Sequence, residues 1–444
     1  MNLIDNFEGA ETNPFLLGDR PTDIQKFIRT LAFQQFWIQK KFRAWTISRQ
    51  KVLFCSLPTD NPIRKTIEES LKLDDIEYFL ELSWLVWAWL MNNPRAFIFS
   101  PGDLFHNLDY SKHEINSFCS AISLLPDDVK KFLNNRKQLI ENPFLQLTEI
   151  SPFVRYPFLK IEEKILVYSQ EVLKETISNI FYDVMKSEGG SSLAEKFGTE
   201  LEKYVGRCIS SLGFAHYIEK DLFRAFPKEN VVDFLLPFSE FALLIEVKAI
   251  EMRPIVKVNP KNKPLQHELQ DSVIKGVIQG FSLANSIKQA QDNLNILNRT
   301  NFFLMVVTYK DLYLGPGDIA WEEFIEESVA PILAERQIDS NLIPHEQIIF
   351  LSIEEFDQLI GILWQKSASI TEIFSEMLQS NSNWKTRKWL FSQQLDKFQQ
   401  KEIRHPILDD EFNAFVKILK KDTFQILRYK NIIVNIAIDL FSTS

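Results

Sequence analysis

The sequence predicts an α/β fold, and three observations carry that prediction. Apolar runs of strand length occur on either side of Pro237-Phe238-Ser239-Glu240, at Phe302–Thr308 and at Gln347–Ser352, as in strands covered on both faces. Longer stretches repeat their apolar residues at helical spacing, with Phe197, Leu201, Tyr204, Val205, Cys208 and Leu212 on one stripe. The two patterns alternate, as they do when helices flank a sheet.

At 444 residues the chain is long enough for two or three domains. Residues 1–150 read as a helical, aromatic-rich domain. Within it Asp74–Asn92 has Ile76, Phe79, Leu80, Trp84 and Trp87 near helical spacing and then becomes apolar all round, the pattern of a buried helix. Residues 151–190 read as a connector. It holds short strands around Val154–Tyr168 with a turn at Glu162-Glu163, a helix over Ser169–Lys186, and a linker at Ser187-Glu-Gly-Gly-Ser-Ser192. Residues 191–355 form the α/β domain. Its first helix ends at Gly213, and a short strand over Phe214–Ile218 comes next. The 231–250 segment reads as a hairpin. A loop or flap with Arg253, Lys257, Lys261 and Lys263 is expected next, broken by Pro254, Pro260 and Pro264, then a long helix over His267–Asn298. Two further buried strands complete the domain, and 356–444 read as a helical tail.

Composition removes several function classes. Glycine is scarce, at 13, and no GxGxxG, Walker A loop or GxSxG elbow occurs. The net charge of −9 argues against holding nucleic acid by overall charge, so such contact would need a local basic surface, a metal or a partner subunit. One local candidate is Ile24–Thr59, which has no acid. It carries Lys26, Arg29, Lys40, Lys41, Arg43, Arg49 and Lys51 among Phe33, Phe36, Trp37, Phe42 and Trp45. Cations among aromatics can grip a phosphate backbone; an amphipathic helix with a solvated basic face gives the same pattern. Trp384-Lys-Thr-Arg-Lys-Trp389 is a shorter stretch of that kind. The cysteines, Cys55, Cys119 and Cys208, are odd in number and far apart, with no CxxC or Cys/His cluster to suggest zinc. With no signal peptide and no membrane-length apolar run, a soluble cytoplasmic protein is expected.

The chemistry is concentrated in the hairpin. Residues two apart on a strand share a face, so Glu246 and Lys248 project together, and a hairpin brings Asp233 beside them. Two carboxylates and an ammonium at the end of an apolar sheet are costly to bury. A divalent metal offsets that cost and suits phosphodiester hydrolysis. A solvated Glu–Lys pair on a surface hairpin is the plainer alternative.

Asp233, Glu246 and Lys248, with Val247 between the last two, resemble the PD-(D/E)XK nuclease superfamily over about residues 190–355. Val232 stands where that family often has proline. The resemblance implies a restriction-endonuclease-like core of helix, mixed sheet and helix, with a largely helical N-terminal domain and a helical C-terminal tail added here. It implies Mg2+, with Mn2+ as a substitute, held by Asp233, Glu246 and the Val247 carbonyl, and Lys248 beside the attacking hydroxide. A glutamate of the preceding helix often joins the metal; Glu202 matches best, then Glu200. A lysine or glutamine of the second core helix often stands near the centre, which points to Gln289 or Lys288.

The function expected is a metal-dependent endonuclease acting on DNA or RNA, with a possible homo-oligomer or partner subunit and no membrane partner. Nuclease cores fused to unfamiliar helical domains resemble bacterial anti-phage defence proteins. The alternative is a non-cleaving subunit that uses a nuclease-like fold to bind nucleic acid or protein.

Overall fold

The hairpin expected at 231–250 is present in the computed structural model, which describes residues 20–36, 44–106, 108–135, 151–227, 230–257, 262–290, 296, 300–399 and 405–414. The principal elements are α1 (Pro21–Leu31), α2 (Ile76–Asn92), β1 (Ile98–Phe99), β2 (Ser123–Leu124), β3 (Phe158–Ile161), β4 (Lys164–Val167), α3 (Gln170–Ser211), β5 (Tyr217–Ile218), α4 (Glu219–Ala225), β6 (Phe234–Pro237), β7 (Ala242–Lys248), α5 (Lys275–Gln289), β8 (Phe302–Thr308), α6 (Glu326–Glu335), β9 (Ile348–Ser352), α7 (Ile353–Trp364) and α8 (Ile370–Asn381). The chain forms two compact units, one of residues 1–34 and 201–405, the other of residues 35–200 and 406–444.

The first unit is an α/β domain on a five-stranded mixed sheet in the order β5-β6-β7-β8-β9. β6 runs antiparallel to both neighbours, while β7, β8 and β9 are mutually parallel. Alternation along the strands feeds two apolar layers. Leu304 faces α5, where Gly280 lets the helix backbone come so close that an added Cβ would lie 2.7 Å from the leucine methyls. Phe303, one residue earlier, stacks on Phe374 of α8 at 4.7 Å between ring centroids. Helices therefore cover both faces, and β8 and β9 are buried end to end, β8 over all of Phe302–Thr308. β8 and β9 occupy the two downstream strand runs almost residue for residue.

The same unit also takes in α1. Arg29 makes a buried two-pronged ion pair with Glu323, its Nη1 2.9 Å from Oε2 and its Nη2 2.5 Å from Oε1, and Gln25 Nε2 donates to the Tyr313 carbonyl at 2.8 Å. Downstream, α7 follows β9 directly behind a capping box in which Ser352 accepts from the Glu355 amide and Glu355 from the Ser352 amide. The compact units thus divide the chain differently from the boundaries expected at 150, 190 and 355.

The other unit packs aromatic residues behind a four-stranded sheet ordered β1-β4-β3-β2. The β3–β4 hairpin turns at Glu162 with a positive φ of 53°. Asp75 caps α2, accepting from the Glu77 amide at 2.6 Å, and Phe79, Leu82, Trp84 and Trp87 are buried, so these tryptophans are core residues. Phe54 stacks on Phe197 at 5.2 Å and Phe79 meets Phe181 at 5.6 Å.

Two local expectations are corrected and one is sharpened. The linker expected at 187–192 contains the break between two helices that together make up α3: the chain leaves helical geometry at Gly190 (φ 60°, ψ −154°), a conformation glycine adopts cheaply, and is helical on either side. The flap after Lys248 contains short helices at Pro254–Lys257 and Asn262–Leu269. Its Arg253 and Lys257 pair with Glu268 and Glu251; Lys261 lies outside the described residues. The acid-free stretch borrows acids from elsewhere in the sequence. Arg29 is buried on Glu323 and Lys51 pairs with Glu77, Arg49, Phe33 and Trp45 are buried, and Trp37, Lys40, Lys41, Phe42 and Arg43 lie outside the described residues. Arg387, in the shorter basic–aromatic stretch, pairs with Asp318 at 2.9 Å.

Candidate metal centre

β6 and β7 pair Phe234 with Ile245 and Leu235 with Leu244, which sets Asp233 opposite Glu246 at the mouth of the hairpin. Asp233 Oδ2 accepts the Val247 amide at 2.7 Å. The amide and carbonyl of an extended residue project to the same edge, so the Val247 carbonyl is also directed towards the Asp233 side. Glu246 is 1% exposed. Its Oε1 accepts from Lys248 Nζ, while Oε2 is buried with no hydrogen-bond partner among the described residues. The Lys248 side chain, at the C-terminal end of the central strand β7, is 21% exposed.

Two helices close over this group. Gly276, near the start of α5, brings backbone against it: a Cβ there would lie 2.9 Å from Glu246 Cγ and 3.7 Å from Lys248 Cε. On α3, Gly206 approaches Phe234, with a virtual Cβ 3.0 Å from the ring. Glu202 lies one turn earlier on the same helix face, close enough to Asp233 for the aspartate to raise its carboxyl. Glu219, in the first turn of α4, adds a further acid.

The electrostatics follow from burial with too little positive charge. Burial, then the neighbouring Asp233, pushes the Glu246 carboxyl up to about 8, against the pull of Lys248. Glu202 is pushed up to about 7 by burial, then by Asp233 and Glu219. Asp233 is pushed up to about 6 by burial, with the Val247 amide and Lys248 acting the other way. One lysine therefore faces several acids that favour retaining protons. A cation would reverse that preference, and hard carboxylate oxygens suit magnesium or manganese.

Asp233, Glu246, Val247, Lys248 and Glu202 come together. Gln289 does not: it is exposed at the far end of α5, bonded to Asn285, thirteen residues beyond Gly276, a rise of about 20 Å. Lys288 beside it is exposed. Glu200, two residues before Glu202, projects to another side of α3. The residue that α5 does place nearby is Gln279, whose Nε2 donates to the Val231 carbonyl at 2.9 Å and so ties down the segment leading into Asp233. The signal for it was the Gly276/Gly280 pair, four residues apart, which marks the face of α5 that touches the sheet.

The chain matches no protein-family model, no curated protein and no solved structure. No helix among the described residues is long and apolar enough to cross a membrane.

Proposed function

We propose that the protein is a metal-dependent phosphodiesterase, an endonuclease acting on nucleic acid in the cytoplasm, with Asp233, Glu246 and Lys248 at its centre. The observation that carries this reading is Glu246 Oε2: a carboxylate oxygen buried without a hydrogen-bond partner, in a group of acids raised by burial and by one another. Such an arrangement is costly in the absence of a cation.

The order α3, β5-β6-β7, α5, β8 supports it, being the order the PD-(D/E)XK resemblance implies, with β9 added. Asp233 Oδ2 is taken by the Val247 amide and Glu246 Oε1 by Lys248. That leaves Asp233 Oδ1, Glu246 Oε2 and the Val247 carbonyl to hold Mg2+ or Mn2+, with Glu202 as an outer ligand. A divalent ion there would supply Lewis acidity towards water and the phosphoryl oxygens. Lys248 adds a fixed positive charge where charge builds on the reacting phosphate. Gly276 and Gly206 keep the enclosing helices close, which limits competing water and holds the acids in place.

The test is calorimetric titration with magnesium and manganese, alongside cleavage assays on plasmid, single-stranded DNA and transfer RNA, each repeated with Asp233→Ala. Metal-dependent cutting lost in the variant is the expected result. Metal binding without cutting of any substrate would favour the non-cleaving subunit, and absence of metal binding would end the hydrolase reading.

A further inference from the structure

A second convergence of ligating side chains lies in the same unit as the Asp233 group but uses none of its residues. Cys208 on α3, Asp357 on α7 and His405 bring their sulfur, carboxylate oxygen and imidazole nitrogen within 4.8 Å of one another. All three residues are 0% exposed. Cys208 Sγ lies 3.9 Å from His405 Nε2, and His405 Nε2 lies 3.8 Å from Asp357 Oδ1. The second separation is too long for a nitrogen–oxygen hydrogen bond, and the first is at the outer reach of a sulfur one.

We infer that Cys208, Asp357 and His405 form a buried structural zinc site, with a water as the fourth ligand of the tetrahedral ion. Thiolate, imidazole and carboxylate are the three ligand types of protein-bound zinc, with bonds of about 2.0–2.3 Å. Tetrahedral geometry then sets neighbouring donors about 3.3–3.6 Å apart, so the two separations at His405 close with shifts of a few tenths of an ångström, while Cys208 and Asp357, within 4.8 Å, close by up to about 1 Å. A thiolate selects zinc over magnesium, which prefers oxygen ligands. Tyr204 Oη donates to Asp357 Oδ1 at 2.6 Å, and this bond fixes the carboxylate on the side facing His405. Hydrogen-bonded partners of this kind orient metal ligands and tune their basicity. On binding, Cys208 releases its thiol proton to solvent and gives its sulfur lone pair to the ion, with no change in oxidation state. The ion joins α3, α7 and the chain at His405. Its complete enclosure makes it a fastening for the fold rather than a place for substrate.

The decisive measurement is cobalt substitution in the full chain, because a cobalt–thiolate bond gives a near-ultraviolet charge-transfer band. The wild type, stripped by chelator and reconstituted, is expected to show that band at about one equivalent of cobalt with a tetrahedral visible spectrum. Zinc should displace the cobalt. Asp233→Asn should leave the band unchanged, which separates this site from the proposed magnesium centre. The Cys55→Ser/Cys119→Ser variant should retain it, and Cys208→Ser and His405→Ala should lose it. A reconstituted wild type with no thiolate band would overturn the inference, whatever the variants do. So would a band that is lost from Cys55→Ser/Cys119→Ser or persists in folded Cys208→Ser; the group would then be a hydrogen-bonded core cluster only.

Discussion

Asp233 reaches across the hairpin to Val247: its Oδ2 takes the Val247 amide at 2.7 Å, between the two other charged residues of the centre. One carboxylate thus closes the backbone and leaves its other oxygen available to a cation. These two roles separate by mutation. Asp233→Asn keeps an acceptor for the amide, so the fold should stay within about 1 kcal/mol of wild type. Magnesium binding should be lost, and cleavage should fall at least about 100-fold. Asp233→Ala should lose the same functions and a further ~1–3 kcal/mol of stability, because a buried amide is left unsatisfied. Denaturant unfolding and calorimetry on both variants check the split.

Lys248 shields Glu246 but reaches solvent. Lys248→Met keeps the apolar stem and removes the charge. Cleavage should drop by about 100-fold or more, with magnesium still bound. The Glu246 carboxyl should move further up, so metal binding in this variant should require higher pH than in wild type. Single-turnover cleavage and a pH series of calorimetric titrations report the two effects. Full cleavage by the purified variant would remove Lys248 from the mechanism.

The raised acids fix the direction of the pH response. Folded Glu246, Glu202 and Asp233 hold protons up to about 8, 7 and 6, against ordinary values of 4.5, 4.5 and 3.8. Between those limits the metal-free folded state binds more protons than the unfolded chain, so its stability falls as pH rises. The fall should begin near pH 4–5 and level off above about 8. Metal binding runs the other way, strengthening with pH by about tenfold per unit for each proton displaced. Melting temperatures in chelator and in excess magnesium should therefore diverge as pH rises from 5 to 8. Parallel curves would show that the ion does not bind these carboxylates.

Gly276 and Gly280 supply a matched comparison on one helix. Glycine to alanine within a helix ordinarily stabilises by about 1 kcal/mol, but both positions here are crowded. Alanine at 276 would press on Glu246 at 2.9 Å, and alanine at 280 on Leu304 at 2.7 Å. Each should destabilise by ~1–3 kcal/mol through overpacking. Only Gly276→Ala should also weaken magnesium binding, since only it displaces a carboxylate. Equal metal affinities in the two variants would detach α5 from the centre.

Much of the sheet was legible because buried strands impose a local demand: Phe302–Val307 has to be apolar at every position, whatever else the chain does. Glu246 and Lys248 were legible for a similar reason, since a spacing of two fixes their common face. The position on α5 was not, because glutamine is compatible with any exposed helix turn; only the close approach at Gly276 shows which turn meets the sheet. The linker at 187–192 was legible only as a break: the two glycines marked the kink at Gly190, but not that helix resumes directly on either side of it. Cys208, Asp357 and His405 left no spacing motif, because Cys208 and His405 are 197 residues apart. The basic stretch was ambiguous because its counter-charges lie outside it, Glu77 for Lys51 and, 294 residues away, Glu323 for Arg29.

That last pair sets a limit on how the protein can be dissected. An expression fragment started at Gly189-Gly190 would carry every residue of the proposed magnesium centre and still leave Glu323 enclosed without its guanidinium. Removing one partner of such a pair costs about 3–5 kcal/mol, a large share of what holds an ordinary domain together. Trimming the first thirty-odd residues, though they stand two hundred positions upstream of the chemistry, therefore strikes at the scaffold beneath it.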